Sequence, residues 1–391
     1  MHMIYLDNHA TTRCDPRVVE AMVPWLSEHY GNPHSSHELG KVAGAAVERA
    51  VAQLASLMNA PVESVVMTSG ATESNNLAIR GVCTHPRQKR RHIVTVTTEH
   101  PAVLDVTAEL EREGFRVTKV PVMPADHSDA GVVDLQRLEE SLDDDTALVS
   151  VMWANNEIGA IAPMKQIAKM CHDRGALLHS DATQAVGRIP VDMIDADIDL
   201  LSATAHKHYG PKGTGLLVVG NSLRRVRIRP QIVGGGQQNG IRSGTMNPAG
   251  VIGIATALQL CVDSMDDHNQ RVADLRNRLW SDLESAIGGL QLNGPSLLGG
   301  NRLAGNLNLA IPAIEGQAWM SSTPDIAFSS GSACSDAHAA PSHVLTALGL
   351  DESRARRSAR FGIGRFNTAA EVESACSMLV EGYEQLQAKS V

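Results

Sequence analysis

The sequence predicts an α/β fold: a large part built on a mostly parallel seven-stranded sheet covered by helices, and a smaller α+β part. Three observations carry this. Short apolar runs at 64–68, 92–97, 115–120, 147–153, 176–179, 199–204 and 215–219 are separated mostly by helical patterns, the alternation expected of a sheet wound with helices. Several runs are apolar on both alternations, as strands covered on both faces must be. After about residue 248 the rhythm changes to two helices, then three strand-like runs around a short helix.

The elements follow in order. Asp15-Pro16 is a helix start, an N-cap followed by proline at the first helical position. Val18, Val19, Met22, Val23 and Leu26 continue it as an apolar stripe. A longer helix spans about 38–58. The linker between 199–204 and 215–219 is too short for a helical crossover, so one strand should run antiparallel. Helices near 247–262 and 267–287, strand-like runs at 306–311, 325–329 and 358–363, and a last helix at 369–388 complete the pattern.

Composition narrows the function. The chain has 391 residues, 43% apolar and 20% charged, which is globular rather than disordered. A net charge of −9 and an aromatic content of 3% argue against a nucleic-acid binder. No 18-residue apolar stretch or secretory leader is seen, and the six cysteines lack CxxC pairs. A cytoplasmic protein without a membrane span is expected. His29, His34 and His37, and likewise Cys171, His172 and His179, lack zinc spacing, so no metal is expected. The run Arg224, Arg225, Arg227 and Arg229 offers a nucleic-acid patch, but with a net charge of −9 it reads as a solvated strand face or a docking surface.

In open α/β sheets, ligands bind beyond the carboxyl ends of strands. After 64–68 comes Ser69-Gly70-Ala71-Thr72-Glu73-Ser74-Asn75-Asn76, opening a helix; it is a phosphate cradle or an ordinary helix start. After 92–97 come Glu99-His100, and after 147–153 come Asn155-Asn156-Glu157. After 176–179 comes Ser180-Asp181-Ala182-Thr183-Gln184, and after 199–204 comes Ala205-His206-Lys207. A lysine at a sheet mouth is either a solvated loop residue or a Schiff-base nucleophile made reactive by partial burial. Together, an anion cradle, a carboxylate, a histidine and a lysine suit pyridoxal 5'-phosphate.

With Tyr5-Leu6-Asp7-Asn8-His9-Ala10-Thr11-Thr12, Gly31-Asn32-Pro33, Asn155-Asn156-Glu157-Ile158-Gly159, Arg242-Ser243-Gly244-Thr245 and Ser330-Gly331-Ser332-Ala333-Cys334-Ser335, these motifs resemble cysteine desulfurases of the NifS/IscS type. That group lies within the fold-type I, class-V-aminotransferase-like pyridoxal phosphate enzymes. The resemblance implies a large cofactor-binding domain at 15–260. A small domain would be formed by 1–14 with 261–391 and would carry the catalytic cysteine loop. It implies that Lys207 holds the cofactor covalently and moves the substrate Cα proton. Asp181 would pair with the pyridinium nitrogen, Gln184 with the phenolic oxygen, and His100 would stack on the ring and act as a catalytic group that moves protons. Backbone N–H groups of Ala71 and Thr72, with the side chains of Thr72, Thr204 and His206, would grip the phosphate. Thr245 would reach the phosphate of a partner subunit, making a homodimer. Arg360, assisted by Asn156, would clamp the substrate carboxylate. Cys334 would take sulfur from L-cysteine, leaving L-alanine, and pass it as a persulfide to a protein acceptor.

The chain departs from the resembled pattern at Thr204 and Gly362, where serine is usual, and at Asp336 and His338. Arg356 and Arg365 read as structural or surface residues. Cys83, Cys171, Cys261 and Cys376 read as buried small apolar groups, and Cys14 is left open. A selenocysteine lyase, another class-V lyase and a non-catalytic docking partner are the alternatives. Cys334 favours sulfur chemistry over plain transamination, and the retained Lys207 and Cys334 count against a non-catalytic role.

Overall fold

The apolar runs become a seven-stranded sheet in the computed structural model, which describes residues 3–220, 223–330 and 340–389. In chain order the strands are β1 (Ile4–Tyr5), β2 (Val65–Thr68), β3 (His92–Val96), β4 (Arg116–Val120), β5 (Thr146–Ser150), β6 (Leu177–Asp181), β7 (Leu200–Thr204), β8 (Gly215–Val219), β9 (Gln291–Leu292), β10 (Asn306–Ala310), β11 (Ile326–Ala327), β12 (Ser329–Ser330) and β13 (Ser358–Gly362). The large sheet has the order β2-β8-β7-β6-β5-β3-β4.

Only β8 runs against the others, pairing antiparallel with both β2 and β7. The link over 205–214 is too short to carry a crossover helix, so the chain must turn straight back. Every residue of β2, β3, β5 and β7 is buried, because helices cover both faces. Gly215 opens β8 where a Cβ would lie 2.6 Å from the Cα of Gly70. That close approach brings β8 against the turn that follows β2.

Helix Pro16–Met22 starts as the sequence predicts: Asp15 accepts the Arg17 N–H, and Pro16 fills the first turn. Helices Pro16–Met22 and Glu38–Leu57 both pack on Pro248–Val262. A second, antiparallel sheet has the order β12-β13-β10-β9, and β1 pairs in parallel with β11. Helices Met265–Ile287 and Ala369–Lys389 cover a separate apolar cluster that includes Ile4, Leu6, Trp319, Phe328 and Phe361. The N-terminal strand therefore packs with the C-terminal third of the chain. Among the described residues, no single helix is long and apolar enough to cross a membrane.

Four details differ from the sequence reading. The apolar stripe from Val18 to Leu26 is not one buried face: the helix ends at Met22, Pro24–Ser27 is a separate short helix, and Val19, Val23 and Leu26 are exposed. The run 147–153 stops being a strand at Ser150, although Val151 N–H still donates to His179 O and Trp153 N–H to Asp181 O (3.0 Å each). The chain leaves its ladder with β3 there and stays beside β6. The run 325–329 splits into β11 and β12, paired with different strands, and Phe328 between them is buried in the apolar cluster. The basic run 224–229 is not a strand. It does alternate: Val226 and Ile228 pack on an apolar cluster, while Arg225, Arg227 and Arg229 are exposed. Arg224 is paired with Asp197 and Asp199.

Candidate active site

At the carboxyl edge of the large sheet, the turn after β2 from Ser69 to Glu73, Asp181 at the end of β6 and Thr204 at the end of β7 line a cleft of about 690 Å³. The cleft is lined by Ala71, Thr72, His100, Asn156, Asp181, Gln184, Thr204, His206, Lys207 and Arg360. The fold thus brings together ten of the residues singled out in the sequence. Thr245 does not line the cleft; it is exposed. Cys334, Asp336 and His338 lie outside the described residues.

Lys207 ends a short 3₁₀ turn, Ala205–Lys207, directly after β7. Its ammonium donates to the carbonyls of His9 (2.9 Å) and Ala10 (2.6 Å). The N-terminal segment is fastened to this turn in return. Thr12 donates through N–H and hydroxyl to His206 O at 2.9 Å, Tyr209 N–H donates to Thr12 Oγ1, and His206 Nδ1 lies 3.0 Å from Thr11 Oγ1. Burial lowers the Lys207 pKa to about 8, helped by the positive charges of Arg188 and Arg360 and opposed by Asp181 and Asp7. Burial and the charges of Lys207 and Lys212 bring His206 down to about 4, so it is neutral at pH 7.

Asp181 is buried at the end of β6. Its Oδ2 accepts from Asn75 Nδ2 at 2.7 Å and its Oδ1 from Thr183 N–H at 3.0 Å. His100 caps helix Pro101–Arg112, its Nδ1 accepting the Ala102 N–H at 3.1 Å. That bond assigns the bare nitrogen to Nδ1, so the neutral ring carries its proton on Nε2. Gln184 donates from Nε2 to His9 O at 2.9 Å. Thr204 donates its hydroxyl to Thr214 O at 3.0 Å, which leaves the oxygen's lone pairs as acceptors.

Helix Ala71–Cys83 begins at Gly70 with no side-chain cap. Its first N–H groups have no intrahelical partner and lie at the cleft wall formed by Gly70, Ala71 and Thr72. The helix dipole adds to their preference for an anion. Glu73 does not compete for that end: it accepts from Ser69 N–H and pairs with Arg242. An uncapped helix start, a carboxylate held from both sides and a half-buried amine fit pyridoxal phosphate in size and charge.

Arg360 projects from β13, with Nη2 on Asp7 Oδ1 and Ser329 Oγ (2.8 Å each) and Nη1 on Asn156 O (3.2 Å). Its Nε is sequestered without a partner. The cation is held in place with donor capacity to spare, as a carboxylate clamp requires. Gly362, two residues on, has a packing reason. A Cβ there would lie 2.8 Å from the backbone nitrogens of Asn8 and His9 and 2.9 Å from the His9 ring. The serine usual in the resembled family does not fit this arrangement.

Beyond 331–339, the chain is fastened beside the cleft. Ser342 Oγ donates to Glu157 Oε2 at 2.5 Å, and His343 Nε2 donates to Glu99 O at 2.9 Å. Cys83, Cys171, Cys261 and Cys376 are buried in helices, as the sequence suggested. Cys14 is half-buried, and burial with the charge of Asp15 pushes its thiol up. Arg365 is structural: it bonds the buried Asp15 and receives the Tyr209 ring beneath its guanidinium. His179 is held between Ser150 and Ser202, and His172 between Asp197 and Asp199. Sequence reasoning missed the roles of Asp7, Asn75, His9 and Arg188. Asp7, Asn75 and His9 stand inside quoted motifs; Arg188 carries no motif signal.

The family Aminotransferase class-V matches residues 4–374. A cysteine desulfurase, IscS, of Rickettsia bellii is 44% identical over 98% of this chain and 92% of its own length. A mitochondrial cysteine desulfurase of Drosophila melanogaster is 44% identical over 99% of this chain and 82% of its own length. Among solved structures, a NifS-like protein aligns with a TM-score of 0.88 at 34% identity, covering 97% of this chain and 98% of that one. A NifS-like protein from Rickettsia africae aligns with a TM-score of 0.84 at 28% identity, over 98% of this chain and 100% of that one. The chain therefore belongs to the class-V aminotransferase family, a family of pyridoxal phosphate enzymes, within its cysteine desulfurase group.

Proposed function

We propose that this cleft binds pyridoxal 5'-phosphate and L-cysteine, and that the chain moves the substrate sulfur onto Cys334. The observation that carries the reading is the placement of Lys207, between the uncapped helix start at Ala71, the held carboxylate of Asp181 and the guanidinium of Arg360. When bound, the cofactor supplies an electron sink that acidifies the substrate Cα–H and loosens the bond to sulfur.

The chain's own groups do the rest. Lys207 is the covalent anchor, and its amine, poised near neutrality, takes and returns the Cα proton. Asp181 keeps a proton on the ring nitrogen by its charge, and Gln184 serves the phenolic oxygen. His100 covers the ring face. The N–H groups of Ala71 and Thr72 with the side chains of Thr72, Thr204 and His206 hold the phosphate. Arg360, with Asn156, orients the carboxylate. The Cys334 thiolate attacks the substrate sulfur; an S–S bond forms, the Cβ–S bond breaks, and the carbon fragment is protonated and leaves as alanine. A protein thiol then receives the persulfide sulfur.

We also propose the division into 15–260 and 1–14 with 261–391, a cytoplasmic location, and a homodimer in which Thr245 serves the phosphate of the other copy. The exposure of Thr245 away from its own cleft supports the last point. The test is alanine formed from L-cysteine by the purified chain with a reducing thiol. Wild type should form alanine; Cys334→Ala should stay yellow with cofactor and form none, and Lys207→Ala should lose turnover. Undiminished turnover by Lys207→Ala refutes the reading.

A further inference from the structure

Behind Lys207 stands a cation that nothing in the proposed chemistry uses. Arg188 donates from Nη2 to Asn8 O at 2.7 Å and to Lys207 O at 3.0 Å, and its Nη1 lies 3.2 Å from His9 Nδ1. Its Nε is sequestered without a partner. Among the described residues no carboxylate pairs with it, and desolvation weakens its hold on its proton. An inward-facing guanidinium without a counterion is costly.

The neighbouring imidazole does not supply a counter-charge. His9 is fully buried and its basicity is depressed, first by burial and then by Arg188, so the ring is neutral. Its Nδ1 lies 3.2 Å from both Gln184 Oε1 and Arg188 Nη1. A single nitrogen cannot donate to one and accept from the other. With Nδ1 bare Arg188 donates to it; with Nδ1 protonated the ring donates to Gln184 Oε1 instead. In either tautomer the His9 carbonyl accepts from Gln184 Nε2 and from Lys207 Nζ.

We propose that Arg188 is a positioning residue for Lys207: it ties the lysine's own carbonyl to that of Asn8, steadies the His9–Ala10 carbonyls against Nζ, and fixes a positive charge behind the amine. The other charges facing Lys207 are Arg360, Asp181 and Asp7, with His9, His100 and His206 as neighbouring imidazoles and Lys212 beyond His206. The two carboxylates favour the ammonium. Beyond burial, Arg188 first and then Arg360 oppose them. Arg360 is paired with Asp7 at 2.8 Å, whereas Arg188 has no carboxylate partner among the described residues, and its charge favours the free amine as a base at lower pH.

This inference rests on Lys207 being the reactive amine, and its test does not need turnover. The full chain is freed of cofactor, its lysines are ¹³C-methylated, and the Lys207 signal, assigned by its loss in Lys207→Arg, is followed by NMR against pH. The wild-type midpoint should fall at about 8. Arg188→Met should raise it by about one unit or more, and Arg188→Lys should hold it near wild type. Arg188→Gln, neutral but still able to donate to one carbonyl, gives the same reading if the methionine variant does not fold. A wild-type midpoint in the neutral variants, or a raised one in Arg188→Lys, overturns the proposal. A chain that titrates as expected but makes no alanine refutes the desulfurase reading and leaves this one standing.

Discussion

Asp181 shows how a catalytic group depends on residues that touch no substrate. Its carboxylate ends a buried strand, where an unsupported charge would be expensive. Asn75, from the second turn of helix Ala71–Cys83, donates to Oδ2 at 2.7 Å across the sheet edge. Removing that donor leaves the carboxylate buried and less fixed. Asn75→Ala should therefore weaken pyridoxal phosphate binding about tenfold, a loss of roughly 1.5 kcal/mol for a bond to a charged group. Absorbance titration of cofactor-free protein measures it, and unchanged affinity would show that Thr183 N–H alone holds Asp181. Lys207, Asp181 and His100 were legible in the sequence because each falls just past an apolar run, and strand ends are where such sheets keep their chemistry. Asn75 stood in a quoted motif, but its partner lies 106 positions away. Nothing local in a sequence encodes that pairing. Arg188 is harder still, because its reach to Asn8 and His9 on one side and Lys207 on the other exists only after the N-terminal segment has docked.

At the scale of elements, Asp15 does two jobs that the sequence showed as one. It caps helix Pro16–Met22 through the Arg17 N–H, and it also pairs with Arg365, far along the chain. The carboxylate side chain is 2% exposed and that of Arg365 11%, whereas Arg17 is 60% exposed. Arg17's hydrogen bond first, then Arg365, holds the carboxyl well below its usual range. The exposed Arg17 pair contributes little net stability; the inner pair carries the stability. Asp15→Asn keeps a competent cap but leaves Arg365 uncompensated, at a cost of about 3 kcal/mol. The sign of the pH dependence follows from the depressed pKa. The stabilisation is complete above the unfolded carboxylate range and is lost as pH falls toward the folded value. Urea unfolding should therefore show the variant's deficit undiminished at pH 7 and narrowing below about pH 4. A deficit independent of pH would assign the loss to packing. Strand ends were the least legible elements. Phe328 breaks the run 325–329 because its ring is needed in the core, a demand made by packing and not by local propensity.

At the scale of the whole molecule, the cleft is assembled from parts that fold around different cores. Asp181 ends β6 and Lys207 follows β7 of the large sheet, whereas Arg360 comes from β13 of the small one. Alternation along β13 couples the two tasks of that strand. Arg360 points to the cleft, and Phe361, completely buried, stacks on Phe328 at 4.8 Å and meets Trp319 edge-on at 5.8 Å. The aromatic trio fixes the depth of β13, and β13 fixes the reach of the guanidinium toward Asp7 and Asn156. Phe361→Leu keeps the apolar character but removes the stack, which should cost about 1–2 kcal/mol of stability. The expected kinetic outcome is selective. KM for L-cysteine should rise several-fold as Arg360 loosens, because small displacements at a positioning group are felt in binding. Pyridoxal phosphate affinity should stay near wild type, since its proposed contacts ride on the large sheet. Spectroscopic titration beside steady-state kinetics separates the two. Equal losses in cofactor and substrate binding would mean that the two sheets move as one body, and that Arg360 is not set independently by the small-sheet core.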